Sequence, residues 1–369
     1  MIRRTVEISR EPAHLATRDE QLLILRCERE PQRLPARPAN LAGSIPIEDL
    51  GVLVVDERDT TYSHAALVKL AEHGSALVVC GRDHQPCGLY LPLSTNTQLL
   101  DRLDAQLSAS KPCLKRLWQA IVTAKIKAQA ENLSHDPASQ SRLRALAARV
   151  RSGDPDNAEA TAAQRYWPAL FAGIERVGQP FRRRPGDRDA APPNNLLDYG
   201  YAVLRAAVAR AIIAAGLLPA LGIKHRRRDN PFCLADDLVE PLRPMIDWKV
   251  RALAQRGALG LDQPTKAELL LQLSAPVRVG DGFGPAQVAI GRYIASFVRV
   301  LLGEQDALEV PVPWYGQTGD ERLTEFDDDP ELSTLIGTNE ERPEGWHESR
   351  RRSQTGQKPP EVEDDRPCT

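Results

Sequence analysis

Near residue 97 the spacing of apolar residues changes from a period of two to one of 3.6, and no other feature of the 369 residues limits the fold so tightly. Before that point short apolar runs recur at Arg4–Ile8, Gln21–Cys27, Gly51–Asp56, Ser75–Cys80 and Gly88–Leu93. Pro, Gly, Asp and Asn bound them, as they bound strands. One helix interrupts the series: Ser63 can cap it, Ala65 to Leu70 have helical spacing, and Gly74 can close it. After that point, apolar residues at i, i+3, i+4 and i+7 predict helices over Pro112–Leu133, Ala138–Val150, Pro155–Ile174, Asn195–Ala215, Leu234–Gln255 and Pro285–Leu302. The fold class is therefore multidomain α and β. A β-sheet-rich domain over 1–96 precedes an all-α domain over 97–303, with Ser94–Leu107 as the link. Phe181–Asn194 and Leu221–Pro231, rich in Arg, Pro, Gly and Asp, read as loops. From Glu304 to the end few apolar residues occur, too few to offset the entropy of ordering, so an acidic low-order tail over 304–369 is expected.

A bilayer span needs about 18 apolar residues in a row. The best stretch, Ala211–Leu221, is shorter and contains Pro219. The opening residues place Glu7 where a signal peptide requires apolar side chains. The expectation is a cytoplasmic protein that neither enters nor crosses a membrane. Six cysteines (Cys27, Cys80, Cys87, Cys113, Cys233 and Cys368) form no CxxC pair, which fits reduced thiols better than a disulfide frame or a zinc knuckle.

The net charge of −2 conceals two opposite halves. Residues 1–303 carry 41 bases against 32 acids, and the rest 7 bases against 18 acids. A basic body suits a polyanionic partner such as nucleic acid, although ordinary surface charge also accounts for a surplus of this size.

Two segments hold acids in unusual places. In Gly-Asp-Pro-Asp-Asn-Ala-Glu-Ala (153–160), Asp154 can cap a helix with Pro155 at its first position. The apolar stripe then runs through Ala162, Ala163, Tyr166 and Leu170, and Glu159 falls on it. A buried lone carboxylate costs several kcal/mol unless it is paired or bound to a cation, so either a salt bridge to a core arginine or a metal is implied. Further on, Asp236, Asp237 and Glu240 stand three and four residues apart, a spacing at which like charges repel unless something positive lies nearby. Pro241 biases Glu240 away from regular helix. A solvated acidic helix end balanced by the neighbouring arginines explains the pattern equally well. His225, taken singly, is an ordinary loop histidine. Together these residues form an oxygen-rich set with one imidazole, suited to Mg²⁺ or Mn²⁺ more than to zinc. A hard divalent ion beside basic residues fits phosphodiester chemistry. No GxxxxGK[ST] and no GxGxxG motif points to a nucleotide.

Four motifs in order carry a likeness: Gly-Asp-Pro-Asp-Asn-x-Glu-Ala (153–160), Ala-Ala-x-Arg-Tyr-Trp (162–167), the Asp-Tyr-Gly-Tyr-Ala-x-Leu run ending at Leu204, and Asn-Pro-Phe-Cys-Leu-Ala-Asp-Asp-Leu-Val-Glu-Pro-Leu-Arg-Pro (230–244). Over residues 1–303 the chain resembles the CRISPR-associated spacer-acquisition integrase, the universal metal-dependent endonuclease of that system. The opening Arg-Thr-Val-Glu-Ile-Ser (4–9) and the segment 45–51 look most like members from type II systems. The resemblance implies that residues 1–96 dimerise and 97–303 hold the metal. It implies Glu159, His225 and Glu240 as ligands, with Asp237 as a supporting catalytic acid, and Mg²⁺ or Mn²⁺ as the ion. It further implies a homodimer, and a heterohexamer with a small ferredoxin-like partner. The assembly inserts short double-stranded DNA into a repeat array by attack of 3′-hydroxyls on phosphodiesters. The type II likeness adds the RNA-guided effector as a partner. Lys125, Lys127, Arg165, Arg226, Arg227 and Arg228 are the candidate DNA contacts. Around His225 the neighbours are basic, where relatives often carry further His or Asn. Rival readings are a non-catalytic DNA-binding scaffold and a metal-dependent repair nuclease acting on branched DNA. The acidic tail is either a DNA mimic that competes for the basic body or a neutral extension.

Overall fold

The computed structural model describes residues 3–26, 40–93, 96–187 and 189–314. These residues belong to one compact unit. The chain opens with strands β1 (Arg4–Ile8), β2 (Ala13–Arg18), β3 (Gln21–Arg26), β4 (Leu41–Pro46), β5 (Leu50–Val55) and β6 (Thr61–Tyr62). Helix α1 (His64–Glu72) follows, then β7 (Ala76–Cys80) and β8 (Pro86–Tyr90). They build two four-stranded sheets, ordered β4-β3-β2-β6 and β1-β5-β7-β8. In the second, β1, β5 and β7 run parallel and β8 closes the edge antiparallel.

Strand β5 explains how this sheet serves the rest of the molecule. All six of its residues, Leu-Gly-Val-Leu-Val-Val, are buried. Side chains alternate across a strand, and both faces here are covered. Leu53 and Val55 join Leu15, Leu22 and Leu70 on one face. Val52 and Val54, with Val78, join the core of the helical region on the other.

The helical region comprises α2 (Leu99–Ser108), α3 (Lys111–Glu131), α4 (Pro137–Ala147), α5 (Ala158–Leu170), α6 (Asn194–Ala214), α7 (Cys233–Leu238), α8 (Arg243–Gln255), α9 (Gln263–Leu270) and α10 (Ala286–Leu301). Helix α6 is its axis. Apolar and small residues occur all round it, and most are buried, as in a helix surrounded by others. It touches β5, β7 and β8 on one side and α7, α8, α9 and α10 on the others. Among the described residues no helix is long and apolar enough to cross a membrane.

Several sequence expectations are corrected here. The helical region is not all-α: β9 (Pro276–Val279), β10 (Gly282–Pro285) and β11 (Val312–Pro313) make a small antiparallel sheet. Its hairpin is marked by Gly-Asp-Gly between short alternating runs, a readable turn signal. The expected link is largely helix α2, which has leucines at 99, 100, 103 and 107 but buries none of them. Helix α9, capped by Asp262 at Thr265 N (3.0 Å), and strand β2 are further elements that the apolar spacing does not predict. The helix expected from Pro155 begins only at Ala158, because Asp154 and Asn157 take the left-handed backbone. Asp154 still serves its end, accepting from Ala158 N (2.8 Å) and Glu159 N (3.1 Å). The single helix expected over Leu234–Gln255 is broken at Glu240–Leu242 by a short 3₁₀ turn around Pro241. Residues 304–314 are ordered: Leu308 and Val310 pack on the core, and Val312–Pro313 pair with β9. The remainder of the expected acidic tail, with Cys27 and Cys368, lies outside the described residues. Among the described cysteines, Cys80, Cys87, Cys113 and Cys233 are free thiols.

A buried ionic cluster ties sheet to helices. The Lys266 ammonium on α9 contacts the carboxylates of Asp56 and of Glu7 (3.4 Å). His84 Nδ1 meets Asp56 at 2.9 Å, and Tyr199 on α6 donates to Glu7 at 3.2 Å. Lys266→Met strands two buried carboxylates and should cost roughly 3–5 kcal/mol of unfolding free energy. Urea denaturation checks it, and a loss below about 1 kcal/mol would show the cluster to be dispensable.

Candidate active site

Helix α3 brings Lys125 to the place where two acids meet. Leu117, Trp118, Ile121, Val122 and Ile126 seat one face of α3 in the core. Lys125 lies at the edge of that face, its side chain 13% exposed. Its Nζ donates to Glu159 Oε1 on α5 (2.7 Å) and stands 2.6 Å from Glu240 Oε2 on the 3₁₀ turn. Glu159 is not on the buried stripe, which runs Ala158, Ala162, Tyr166, Leu170; it flanks the stripe, 22% exposed. Its partner is neither a core arginine nor solvent but a lysine 34 residues earlier. Glu240 is almost fully buried, and its other oxygen pairs with Arg243 Nε (3.1 Å). Burial pushes the Glu240 carboxyl upward, yet Arg243 and Lys125 outweigh it and hold Glu240 below the usual glutamate range. Burial likewise works against the Lys125 charge, and Glu240 and Glu159 overcome it, raising Lys125 above the ordinary lysine value.

Asp237 is completely buried on α7 and organises the loop that carries His225. Its carboxylate accepts from Ile223 N (2.6 Å), Lys224 N (2.8 Å) and the His225 ring Nδ1 (2.5 Å). Nδ1 must therefore carry the proton when the ring is neutral, which leaves Nε2 as its acceptor. The edge of the Trp118 ring, 5.8 Å away, fixes the imidazole from the side. The hydrogen bond to Asp237 is the main reason that His225 titrates above its ordinary value, with burial opposing it and Glu240 and Glu159 adding to it. The chain can pass this close only at a glycine. A Cβ at Gly222 would lie 2.2 Å from the His225 carbonyl and 3.0 Å from Asp237 Oδ2.

The six residues expected to touch DNA are divided between surfaces. Lys127 points to the opposite side of α3, into a groove of about 890 Å³ that Arg116, Arg144 and Arg278 also line. Arg165, Arg226, Arg227 and Arg228 are exposed, and Arg227 pairs with Asp229 at 2.8 Å. Lys125 is the exception, its charge engaged by the two acids. Arg243 and Trp118 are the site residues that sequence reasoning missed. Arg243 had a legible signal, since it stands three residues after Glu240.

Among the described residues no three His, Cys, Asp or Glu side chains stand close enough together to form a metal cage. The donor chemistry nevertheless fits a hard divalent cation. Glu159 and Glu240 already share one positive charge, and Glu240 Oε2, buried, takes part in that pairing without a well-directed hydrogen bond. An oxygen in that state has capacity for a cation. His225 contributes a nitrogen within the electrostatic reach of both acids.

The comparisons with known proteins agree with one another. The family model described as CRISPR associated protein Cas1 matches residues 7–275. The chain belongs to the Cas1 family. A CRISPR-associated endonuclease Cas1 of Neisseria meningitidis serogroup C is 41% identical over 275 residues, covering 73% of this chain and 86% of the relative. A second such endonuclease, from Pyrobaculum aerophilum, is 30% identical and covers 52% of this chain and 67% of its own. Among solved structures, a casposase bound to an integration product superposes with a TM-score of 0.68 at 18% identity, over 90% of this chain and 99% of that one. A Cas1 protein from Thermotoga maritima does so with a TM-score of 0.56 at 15% identity, covering 85% and 100%. The Cas1 fold thus includes both the paired sheets and the helical region in which the acids meet.

Behind these acids another buried carboxylate, Asp247, clamps α5 to α8. Tyr166 on α5 donates to Asp247 Oδ2 (2.9 Å), and Tyr201 on α6 donates to Oδ1. Asn132 at the end of α3 donates to Tyr166 Oη (2.7 Å) and to the Pro244 carbonyl (2.8 Å). The clamp fixes the helix of Glu159 against the segment of Glu240. Burial raises Asp247 from its ordinary 3.8 to about 6, against the tyrosine hydrogen bonds and the charges of Arg183 and Lys125. Below pH 4 both folded and unfolded chains hold the proton. Between pH 4 and 6 only the folded chain does, so native stability falls as pH rises through that window. Relative to Asp247→Asn, wild type should lose about 2.5 kcal/mol from pH 4 to 7.5, measured by urea denaturation of both proteins. A difference that stays flat across that range would refute the buried, protonated aspartate.

Proposed function

We propose that this Cas1 family member is a metal-dependent DNA endonuclease and integrase. It inserts short double-stranded DNA into a repeat array by attack of 3′-hydroxyls on phosphodiesters. Glu159, His225 and Glu240 would hold one Mg²⁺ or Mn²⁺, and Asp237 positions His225. The observation that carries this reading is the convergence of Glu159 and Glu240, 81 residues apart in sequence, on a single positive charge beside an imidazole of fixed tautomer. Family membership, with relatives named as endonucleases, supports it.

When bound, the ion supplies Lewis acidity toward a phosphate oxygen and lowers the cost of ionising the attacking hydroxyl. The chain supplies the rest. Arg243, stacked 4.6 Å over the Tyr201 ring, keeps Glu240 ionised and in place. Asp237 and Trp118 hold the His225 ring so that Nε2 stays available. The Asp247 clamp keeps the two acid-bearing segments in register, which is a contribution to positioning. Lys127, Arg165, Arg226, Arg227 and Arg228 offer phosphate contacts. The partners of this role are double-stranded DNA, a second copy of the chain, the small ferredoxin-like protein that completes a heterohexamer, and the type II effector. Its place is the cytoplasm.

Alanine at Glu159, His225 or Glu240 should each lower strand transfer of a short duplex into a repeat-bearing plasmid by about a hundredfold or more with Mn²⁺ present. DNA binding should persist. Joining at the wild-type rate by any folded variant removes that residue from the site. A protein that binds the duplex but neither joins nor nicks it would instead be a scaffold. Replacing Arg226, Arg227 and Arg228 together by Ala should flatten the dependence of log affinity on log salt by about 0.9 for each phosphate no longer neutralised. An unchanged slope would place the phosphate-binding bases elsewhere.

A further inference from the structure

Lys125 is more than a salt-bridge partner. We propose that its ammonium is the internal counter-ion of the metal-free site: it holds Glu159 and Glu240 in place until a divalent ion displaces it. Once displaced, it is free to meet the DNA phosphate. The inference rests on the metal reading above and adds a competitor and positioning residue to it.

Three features of the geometry point this way. First, the ammonium lies between Glu159 Oε1 (2.7 Å) and Glu240 Oε2 (2.6 Å), the two carboxylates assigned to the metal. A divalent ion drawn to the same two oxygens repels an ammonium held there, so the two cations exclude each other. Second, Glu240 does not need Lys125 for neutrality, because Arg243 already meets its other oxygen at 3.1 Å. Arg243 is built in as a fixed partner, its guanidinium packed on Tyr201. Third, the two cations differ in kind. A lysine is a compact charge on a four-carbon stem with freedom to swing, whereas an arginine in a stacked fork is fixed. The Lys125 side chain retains 13% exposure, so it is not sealed inside the core. Two acids so close repel one another when nothing positive stands between them. The lysine thus preserves the spacing of the acids in the empty protein, and it yields the same oxygens to an ion of higher charge.

The test uses the full chain and MnCl₂ alone, so no reaction enters. Free Mn²⁺ is followed by electron paramagnetic resonance during titration of wild type and of Lys125→Met, which keeps the length and removes the charge. Lys125→Met should bind Mn²⁺ tighter by about tenfold or more, the scale on which neighbouring groups set metal affinity. Its melting temperature should fall below wild type without metal and recover on adding Mn²⁺. Equal or weaker Mn²⁺ affinity in the variant overturns the inference. Wild-type protein that binds no Mn²⁺ overturns instead the metal reading, and the inference with it. A second measurement needs no variant. Reductive methylation of wild type, read by mass spectrometry at Lys125, should speed up several-fold with Mn²⁺. A Lys125 that reacts no faster with the metal than without it refutes the displacement.

Discussion

A positive charge shared by two carboxylates from distant parts of the chain is the interaction on which the rest of the site depends. Glu159 enters on α5 and Glu240 on a 3₁₀ turn, and Lys125 reaches both from α3. At about 4 Å and an effective dielectric near 20, one such attraction is worth roughly 4 kcal/mol before desolvation, and each ion loses several kcal/mol on leaving water. Opposing terms of that size leave little net stability. What the arrangement provides is position. The lysine meets both acids at once, so it fixes α3, α5 and the 3₁₀ turn relative to one another. The hydrogen-bonded chain behind them, from Asn132 through Tyr166 to Asp247, also fixes these elements in place.

His225 is held in a different way. Its ring is half exposed, and its exposed loop carries four bases, Lys224 before the histidine and Arg226 to Arg228 after it. Such a loop has little core of its own. Asp237 substitutes for one, because a single buried carboxylate gathers the backbone amides of 223 and 224 and the ring nitrogen. The short α7 that bears it is anchored by Cys233, Leu234, Ala235 and Leu238, all buried. The apolar packing of a six-residue helix thus decides which nitrogen of an exposed histidine is available. Gly222 makes the approach possible, since any side chain there would collide with the histidine carbonyl.

Much of this is readable from sequence, for reasons that also explain the failures. The change of period locates the helical region, and α3, α6 and α10 fall within a residue or two of their expected spans, since each carries a long apolar face. Helix α2 has leucines at 99, 100, 103 and 107 but buries none of them, so its spacing is helical although no core receives it. Strands β9 and β10 have four residues each, too few to establish a period. Glu159 and Glu240 are conspicuous because acids beside apolar stripes demand a cation. Which cation is not legible, because Lys125 lies 34 residues from one acid and 115 from the other. On a helix with Lys127 two positions later, it looks like one more surface base. Only the three-dimensional packing separates them: one faces the acids, the other the groove on the far side of α3.

The charges around the site suit a lysine at that position. Glu159, Glu240 and Asp237 contribute three negative charges, and Lys125 and Arg243 contribute two positive ones. With His225 neutral the cluster carries one net negative charge in a poorly solvated place, enough to attract a cation. A divalent ion in the ammonium's position would bring the sum to zero. The displaced ammonium would then be a free positive charge at the rim, and each phosphodiester of an arriving strand brings one negative charge. An arginine at 125 would hold the acids too firmly to be exchanged, and a neutral residue would leave them repelling. A lysine meets both requirements, because its charge is strong enough to set the spacing of the acids and its stem long enough to release them.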